Sequence, residues 1–180
     1  MSQLLHAYRR IISAFPSLQS AMLLAVRLYW GFQFVQTGWS KLHNLPKITA
    51  YFASLNIPFP GLNAPFIAGL EFFGGILMIL GLFSRPIAFL LACNMFVAYW
   101  VGDHDALVSF FSDQDKFLGA TPYTFLFASL MVLIFGAGLF SVDTLIARYL
   151  KGRSAGRGVL QNDKMVVRSS SLARSTAAGR

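Results

Sequence analysis

Two ionisable residues stand where ionisable residues are costly. Glu71 lies inside 65–80, a stretch otherwise almost wholly apolar, and Arg27 lies inside a second apolar run, 18–39. On insertion scales such a group costs roughly 2.5–3.5 kcal/mol at the centre of a membrane helix, so each is expected to face a partner or a wet cavity rather than lipid. An acid and a base on neighbouring apolar segments can neutralise each other, orient a polar head group, or pass a proton. Arginine keeps its charge at any relevant pH, so a pair of Arg27 with Glu71 would be a pair of charges. Removing one partner would leave the other buried and unpaired.

Helical spacing puts other residues beside them. Arg27, Gly31, Phe34, Gly38 and Lys41 share one helix face, and Ala68, Glu71, Gly74, Gly75 and Met78 share another. The glycines Gly31, Gly38, Gly74 and Gly75 read as packing residues that let two helices approach. Asn94 and Ser129 could add polar atoms to the same centre, with ordinary interhelical hydrogen bonding as the simpler role. Depth argues against easy contact between the two charges. At 1.5 Å per residue, Arg27 lies about 18 Å below the end of its run and Glu71 about 9 Å below the end of its own. Gln33 is nearer to Glu71 in depth. The expected centre is therefore Arg27, Glu71, Gln33 and Asn94, with Gln33 or a water as a bridge.

Other chemistries find little support. The single cysteine, Cys93, lies in an apolar run, and no CxxC or zinc spacing occurs. His6, His43 and His104 are scattered, so a bis-histidine haem within the chain is not expected. Asp103, His104 and Asp105 could offer metal ligands, but an acidic solvated loop is the simpler reading, and no metal is expected. No Ser/His/Asp order, phosphate loop or dinucleotide fingerprint is present. Any redox chemistry would need a bound partner or a lipid-soluble carrier such as a quinone.

Composition sets the class that must position these residues. The 180 residues are 56% apolar and 12% charged, with 18 Phe and a mean hydropathy of +0.58. Soluble domains carry about 25% charge. So many phenylalanines suit a surface facing lipid, where apolar atoms need no burial. The net charge of +8 collects largely in one tail, which reads as membrane-surface and orientation charge rather than a nucleic-acid footprint.

Four apolar runs, 18–39, 65–83, 86–101 and 123–140, are each near the length a helix needs to cross about 30 Å of hydrocarbon. The expected fold is an all-α, four-helix transmembrane bundle with short interfacial helices. Trp39, Tyr99, Trp100 and Tyr123 mark the ends of runs, as interfacial aromatics do. An even number of spans puts both termini on one side. Arg9, Arg10, Arg85, Arg148, Lys151, Arg153 and Arg157 would share that side, against Lys41, Lys47 and Lys116 on the other. The bias places both termini in the cytoplasm. A cleaved signal peptide is a poor alternative, because Pro16 and Arg27 interrupt the run after Arg9 and Arg10.

Three segments follow. Residues 1–17 form a cytoplasmic amphipathic segment, 18–150 the four-span membrane domain, and 151–180 a basic tail with little to bury, expected to be disordered. In the first outer loop, Ile48, Tyr51, Phe52 and Leu55 recur at helical spacing and Asn56 offers a left-handed cap, so a surface helix is expected there. Ala106 to Phe111 reads as a weaker one. On the inner face, Arg85 lies in a short turn and Asp143 follows the fourth run, so the two could pair. Ser141 could cap a helix over 142–150 with Asp143 in its favourable first turn.

The order of motifs resembles a known family. Arg27-Leu28-Tyr29-Trp30-Gly31, Gly38-Trp39-Ser40-Lys41-Leu42, Glu71-Phe72-Phe73-Gly74-Gly75, Gly81-Leu82-Phe83-Ser84-Arg85 and Gly136-Ala137-Gly138-Leu139-Phe140-Ser141-Val142-Asp143 are similar to the DoxX family of small four-helix bacterial membrane proteins. The resemblance covers about residues 18–150. Asn56 stands where members often have Gly before Pro, and both residues can occupy the left-handed region. The resemblance implies a multi-pass protein of the bacterial inner membrane. It further implies a membrane subunit or partner of a redox system, linked to a quinone or to sulfur and thiol chemistry. Many members have no established activity, and no cofactor motif in this chain makes it an enzyme alone. The alternative is a non-catalytic scaffold or a small transporter-like protein.

Overall fold

The computed structural model describes the backbone of residues 2–150 and the side chains of residues 17–150. The side chains of the expected amphipathic N-terminal segment, and the basic tail 151–180, lie outside the described residues. Seven helices follow in order: α1 (Ser2–His43), α2 (Leu45–Ser54), α3 (Pro60–Leu80), α4 (Ser84–Val101), α5 (His104–Val108), α6 (Gln114–Gly119) and α7 (Thr121–Phe135). A further helical segment covers 142–150. No strand occurs among the described residues.

The first apolar run is not a separate helix. It continues the N-terminal segment as one 42-residue helix through Pro16. A proline inside a helix removes one backbone bond but need not end it when the flanking residues favour helix. α3 starts five residues before the expected boundary, with Pro60 in its first turn and Pro65 inside it. It ends at Gly81, whose φ of 68° supplies a left-handed cap, with the Gly81 N–H donating to the Leu77 and Met78 carbonyls. After Leu82 and Phe83, α4 begins at Ser84, giving the tight antiparallel turn that the short connection requires.

α7 is the largest departure. The apolar run continues to 140, but the helix stops at Phe135. Gly136 and Gly138 take φ of 78° and 75°, conformations a helix cannot continue through. The segment 136–140 is therefore irregular, bent chain. α2 is the short helix expected after the first run, and it closes with Asn56 at φ 55° and an Ile57 N–H donated to the Phe52 carbonyl.

The four longest helices pack α1 on α3, α3 on α4, α4 on α7 and α7 on α1. Glycines set the closest approach. A Cβ on Gly75 would stand 2.7 Å from the Gly31 carbonyl oxygen, and one on Gly38 would stand 2.9 Å from the Ala68 carbonyl oxygen. Both distances are shorter than real Cβ contacts, so α1 and α3 meet backbone to backbone. Gly74 faces α4 instead, where a Cβ would stand 3.2 Å from Leu91. Phe34, Met78, Leu91, Met95, Phe125 and Val132 fill the interior between the four helices.

The outside is apolar as well. Phe66, Phe73, Phe96, Trp100, Phe127 and Ile134 are all more than half exposed. Contiguous apolar surface of this kind suits a lipid environment and is rare on soluble monomers. α3 and α4 are long and apolar enough to cross a membrane, and α7 is a shorter apolar helix.

Candidate functional site

Glu71 and Arg27 do not meet. Each anchors its own polar cluster, Glu71 near the middle of α3 and Arg27 at its C-terminal end.

The antiparallel packing of α1 on α3 decides this. Gly31 lies against Gly75 and Ile79, and Gly38 lies against Ala68 and Phe72. Arg27 is therefore level with the C-terminal end of α3, and Glu71 is level with the region around Gly38. Side chains on a helix lean toward its N-terminus. Arg27 consequently leans away from Glu71, while Lys41, one turn beyond Gly38, leans back toward it. The expected centre of Arg27, Glu71, Gln33 and Asn94 is corrected accordingly. Gln33 is half-buried and joins neither cluster among the described residues.

The Glu71 cluster joins three helices. Lys41 Nζ, on α1, donates to Glu71 Oε1 at 2.6 Å and to Oε2 at 2.7 Å. Asn94 Nδ2, on α4, donates to Glu71 Oε1 at 3.0 Å. This is the one ion pair among the described residues. Glu71 is 1% exposed, whereas the Lys41 side chain is 30% exposed. The carboxylate is thus sealed behind the ammonium.

What Lys41 is exposed to is a cavity of about 480 Å³. Its polar end is Lys41, Glu71 and Asn94, with the Thr37 side chain beside them. Its walls are largely apolar, including Ile67, Met95 and Phe125. α2 lays Ile48, Tyr51, Phe52 and Leu55 along it. None of the residues of α2 is buried, so this apolar face has no protein core to fill and borders the cavity instead. Asp103 and Gly102, just past α4, also line it, and a Cβ on Gly102 would stand 3.3 Å from the Tyr51 hydroxyl oxygen. The volume falls in the range of small-molecule sites, and the pattern of apolar walls with a few convergent polar groups is theirs too.

The Arg27 cluster is of another kind. The guanidinium is 1% exposed and donates only to backbone carbonyls. Nε donates to Met78 at 2.9 Å, Nη2 to Ile79 at 2.9 Å, and Nη1 to Ala137 and to Phe140, the latter at 3.1 Å. Two acceptors belong to the last turn of α3 and two to the bent segment after α7. Helix C-terminal carbonyls carry partial negative charge and lack intrahelical partners. Arg27 satisfies them on both sides at once. Gly81 is required beside it, since a Cβ there would collide with the guanidinium and with Ser141.

Asp143 caps α4 rather than pairing with Arg85. Its Oδ1 accepts from the Phe83 N–H at 2.9 Å, and Oδ2 from the Ser84 N–H at 3.0 Å and the Ser84 hydroxyl at 2.8 Å. Its own N–H donates to the Gly81 carbonyl at 3.0 Å. Partial burial pushes the Asp143 carboxyl up. The hydrogen bonds from Ser84 and Phe83, together with the nearby Arg27 charge, outweigh it and hold the group below its ordinary value. Arg85 lies alongside Gly136 and forms no ion pair among the described residues. The Ser141 hydroxyl donates to the Gly138 carbonyl at 3.0 Å, bracing the turn whose carbonyls Arg27 receives.

Two features of the site are hidden from the sequence. Lys41 was placed on the correct face but counted as an orientation charge. The α2 face was read as a surface helix, with no sign that it borders a cavity. The available signal was the direction in which a helical side chain leans.

No curated protein and no solved structure matches the chain. A family model described as DoxX matches residues 22–104, a region that contains Arg27, Lys41, Glu71 and Asn94 and runs from within α1 to the start of α5. The family whose motifs the sequence resembles is thus the family whose model matches residues 22–104, just under half of the chain.

Proposed function

We propose that this chain is a four-span protein of the bacterial inner membrane with both termini in the cytoplasm, and that it serves a redox system as its membrane partner. Its chamber takes the head group of a neutral lipid-soluble carrier of the quinone type. The observation that carries this reading is the cavity beside Lys41, Glu71 and Asn94. The Lys41–Glu71 pair has no net charge, so the polar end favours a neutral head group. The apolar walls favour a ring and its tail. Electrons would pass between the carrier and a separate partner protein.

Purification in native lipid tests this, with extraction and quantification of bound carriers and assay of quinone reduction with candidate partners. Carrier retained near one per chain, together with a recovered redox partner, is the expected result. A protein that retains no carrier and recovers no partner would instead be a scaffold or a small transporter-like protein. That second reading has its own support in Arg27, which ties the ends of two helices together without facing the cavity.

A further inference from the structure

The hydrogen-bond inventory of the chamber's polar end is incomplete, and what is missing has a definite polarity. A carboxylate only accepts, so the Asn94 amide must turn its NH₂ toward Glu71, as the 3.0 Å bond requires. The Asn94 Oδ1 atom then points elsewhere, and no donor reaches it among the described residues. Asn94 is 8% exposed and lines the cavity. No buried side-chain oxygen or nitrogen in the described residues is left without a partner, so this oxygen is open to the cavity rather than sealed in protein. An ammonium has three N–H bonds. Two of those on Lys41 go to Glu71, which leaves one for the exposed side of the group.

The Thr37 hydroxyl spends its proton on the Phe34 carbonyl, so the polar end presents one donor, on Lys41, and only acceptors beside it, of which Asn94 Oδ1 is the one without a partner. A carbonyl oxygen can take the Lys41 N–H but sets its lone pairs against the Asn94 oxygen. A hydroxyl can accept from Lys41 and donate to Asn94 at once. Leaving a buried acceptor unmatched costs roughly enough to change an affinity about tenfold.

We infer that the chamber is selective for the reduced, hydroxyl-bearing form of its carrier, with Lys41 and Asn94 reading the hydroxyl. This rests on the carrier reading above and adds to it a preference between redox states. A protein with this preference holds hydroquinone, either as the electron donor to a partner or as the product that a partner has reduced.

The test uses the full-length protein in discs of carrier-free lipid under anaerobic conditions. The probes are a decyl-substituted benzoquinone and its chemically reduced hydroquinone, each measured by equilibrium dialysis above the binding of protein-free discs. Hydroquinone binding at least about tenfold tighter than quinone binding is expected. In Asn94→Leu the ratio of hydroquinone to quinone affinity should fall to about one. Equal binding of the two forms, or tighter binding of the quinone, overturns the selectivity while leaving the carrier reading intact. Binding of neither form overturns both. A preference that survives in Asn94→Leu removes the assignment to Asn94. Should that variant not fold, the comparison of the two probes on the unmodified protein decides the matter alone.

Discussion

Lys41 Nζ sits 2.6 and 2.7 Å from the two carboxylate oxygens of Glu71, so the acid of α3 is neutralised by a base fourteen positions beyond the arginine that the sequence first suggests. Because Glu71 is sealed and Lys41 is not, the two removals are unequal. Lys41→Met leaves a buried carboxylate without its cation and should cost about 3 kcal/mol. Glu71→Gln leaves Lys41 able to turn into the cavity and should cost less. The double variant Lys41→Met/Glu71→Leu should regain at least half of the larger loss. Thermal melting of the three proteins in one lipid or detergent reads this, and strictly additive losses would show that the pair is not coupled.

Arg27 predicts the opposite pattern, because its partners are backbone. No second-site substitution of Glu71 should rescue Arg27→Leu. Arg27→Lys should also fail to restore more than about half of the melting temperature lost, since a single ammonium cannot span carbonyls on α3 and on 136–140 as a planar guanidinium does. Full recovery by lysine would mean that charge alone matters at this site.

The glycine contacts give a graded series. Gly38→Ala and Gly75→Ala press a methyl into the opposing backbone and should each cost about 1–3 kcal/mol. Gly69→Ala meets open space and should be neutral or slightly stabilising, as expected for a helical glycine. Equal effects at all three positions would contradict the close approach of α1 to α3.

Much of this was legible before the structure, but unevenly. Glu71 announced itself by contrast with its surroundings, and the faces carrying Gly31, Gly38 and Gly75 followed from period alone. The end of α7 did not. Hydropathy continues through 136–140, and only the left-handed backbone at Gly136 and Gly138 ends the helix. Asp143 and Arg85 were brought to one side by topology, yet the free N–H groups at the start of α4 compete for the carboxylate, and they win. Lys41 was missed because counting depth per residue ignores the lean of side chains, which moves a long lysine by about a turn.

The Asp143 cap makes stability depend on acid. Its carboxyl is held below the ordinary value in the folded protein, so the unfolded chain takes up the proton first as pH falls. The contribution is present in full above the unfolded carboxyl pKa of about 3.9. It is lost as pH falls through the lower folded value. Asp143→Asn should therefore flatten the acid limb of the melting-temperature profile. Reversal of both charges, Arg85→Glu with Asp143→Lys, should not rescue Asp143→Lys. A rescue would restore the ion pair that the hydrogen bonds exclude.

Orientation is checked by cysteine labelling at Asp113 and Arg153, in a Cys93→Ser background. With four spans and cytoplasmic termini, an impermeant reagent added outside intact cells should label position 113 and spare position 153. Labelling of both from the same side would contradict the topology.

The chamber is the centre of the account, and filling it is the most direct test. Ala98 lines the cavity away from the Lys41–Glu71 pair, so Ala98→Phe should occupy the space and leave the polar bonds in place. The measurement is carrier retained per chain after purification in native lipid, for the unmodified protein and for Ala98→Phe at matched melting temperature. Retention near one per chain is expected for the first and a loss of at least about tenfold for the second. Equal retention by both, or none by either, would contradict it.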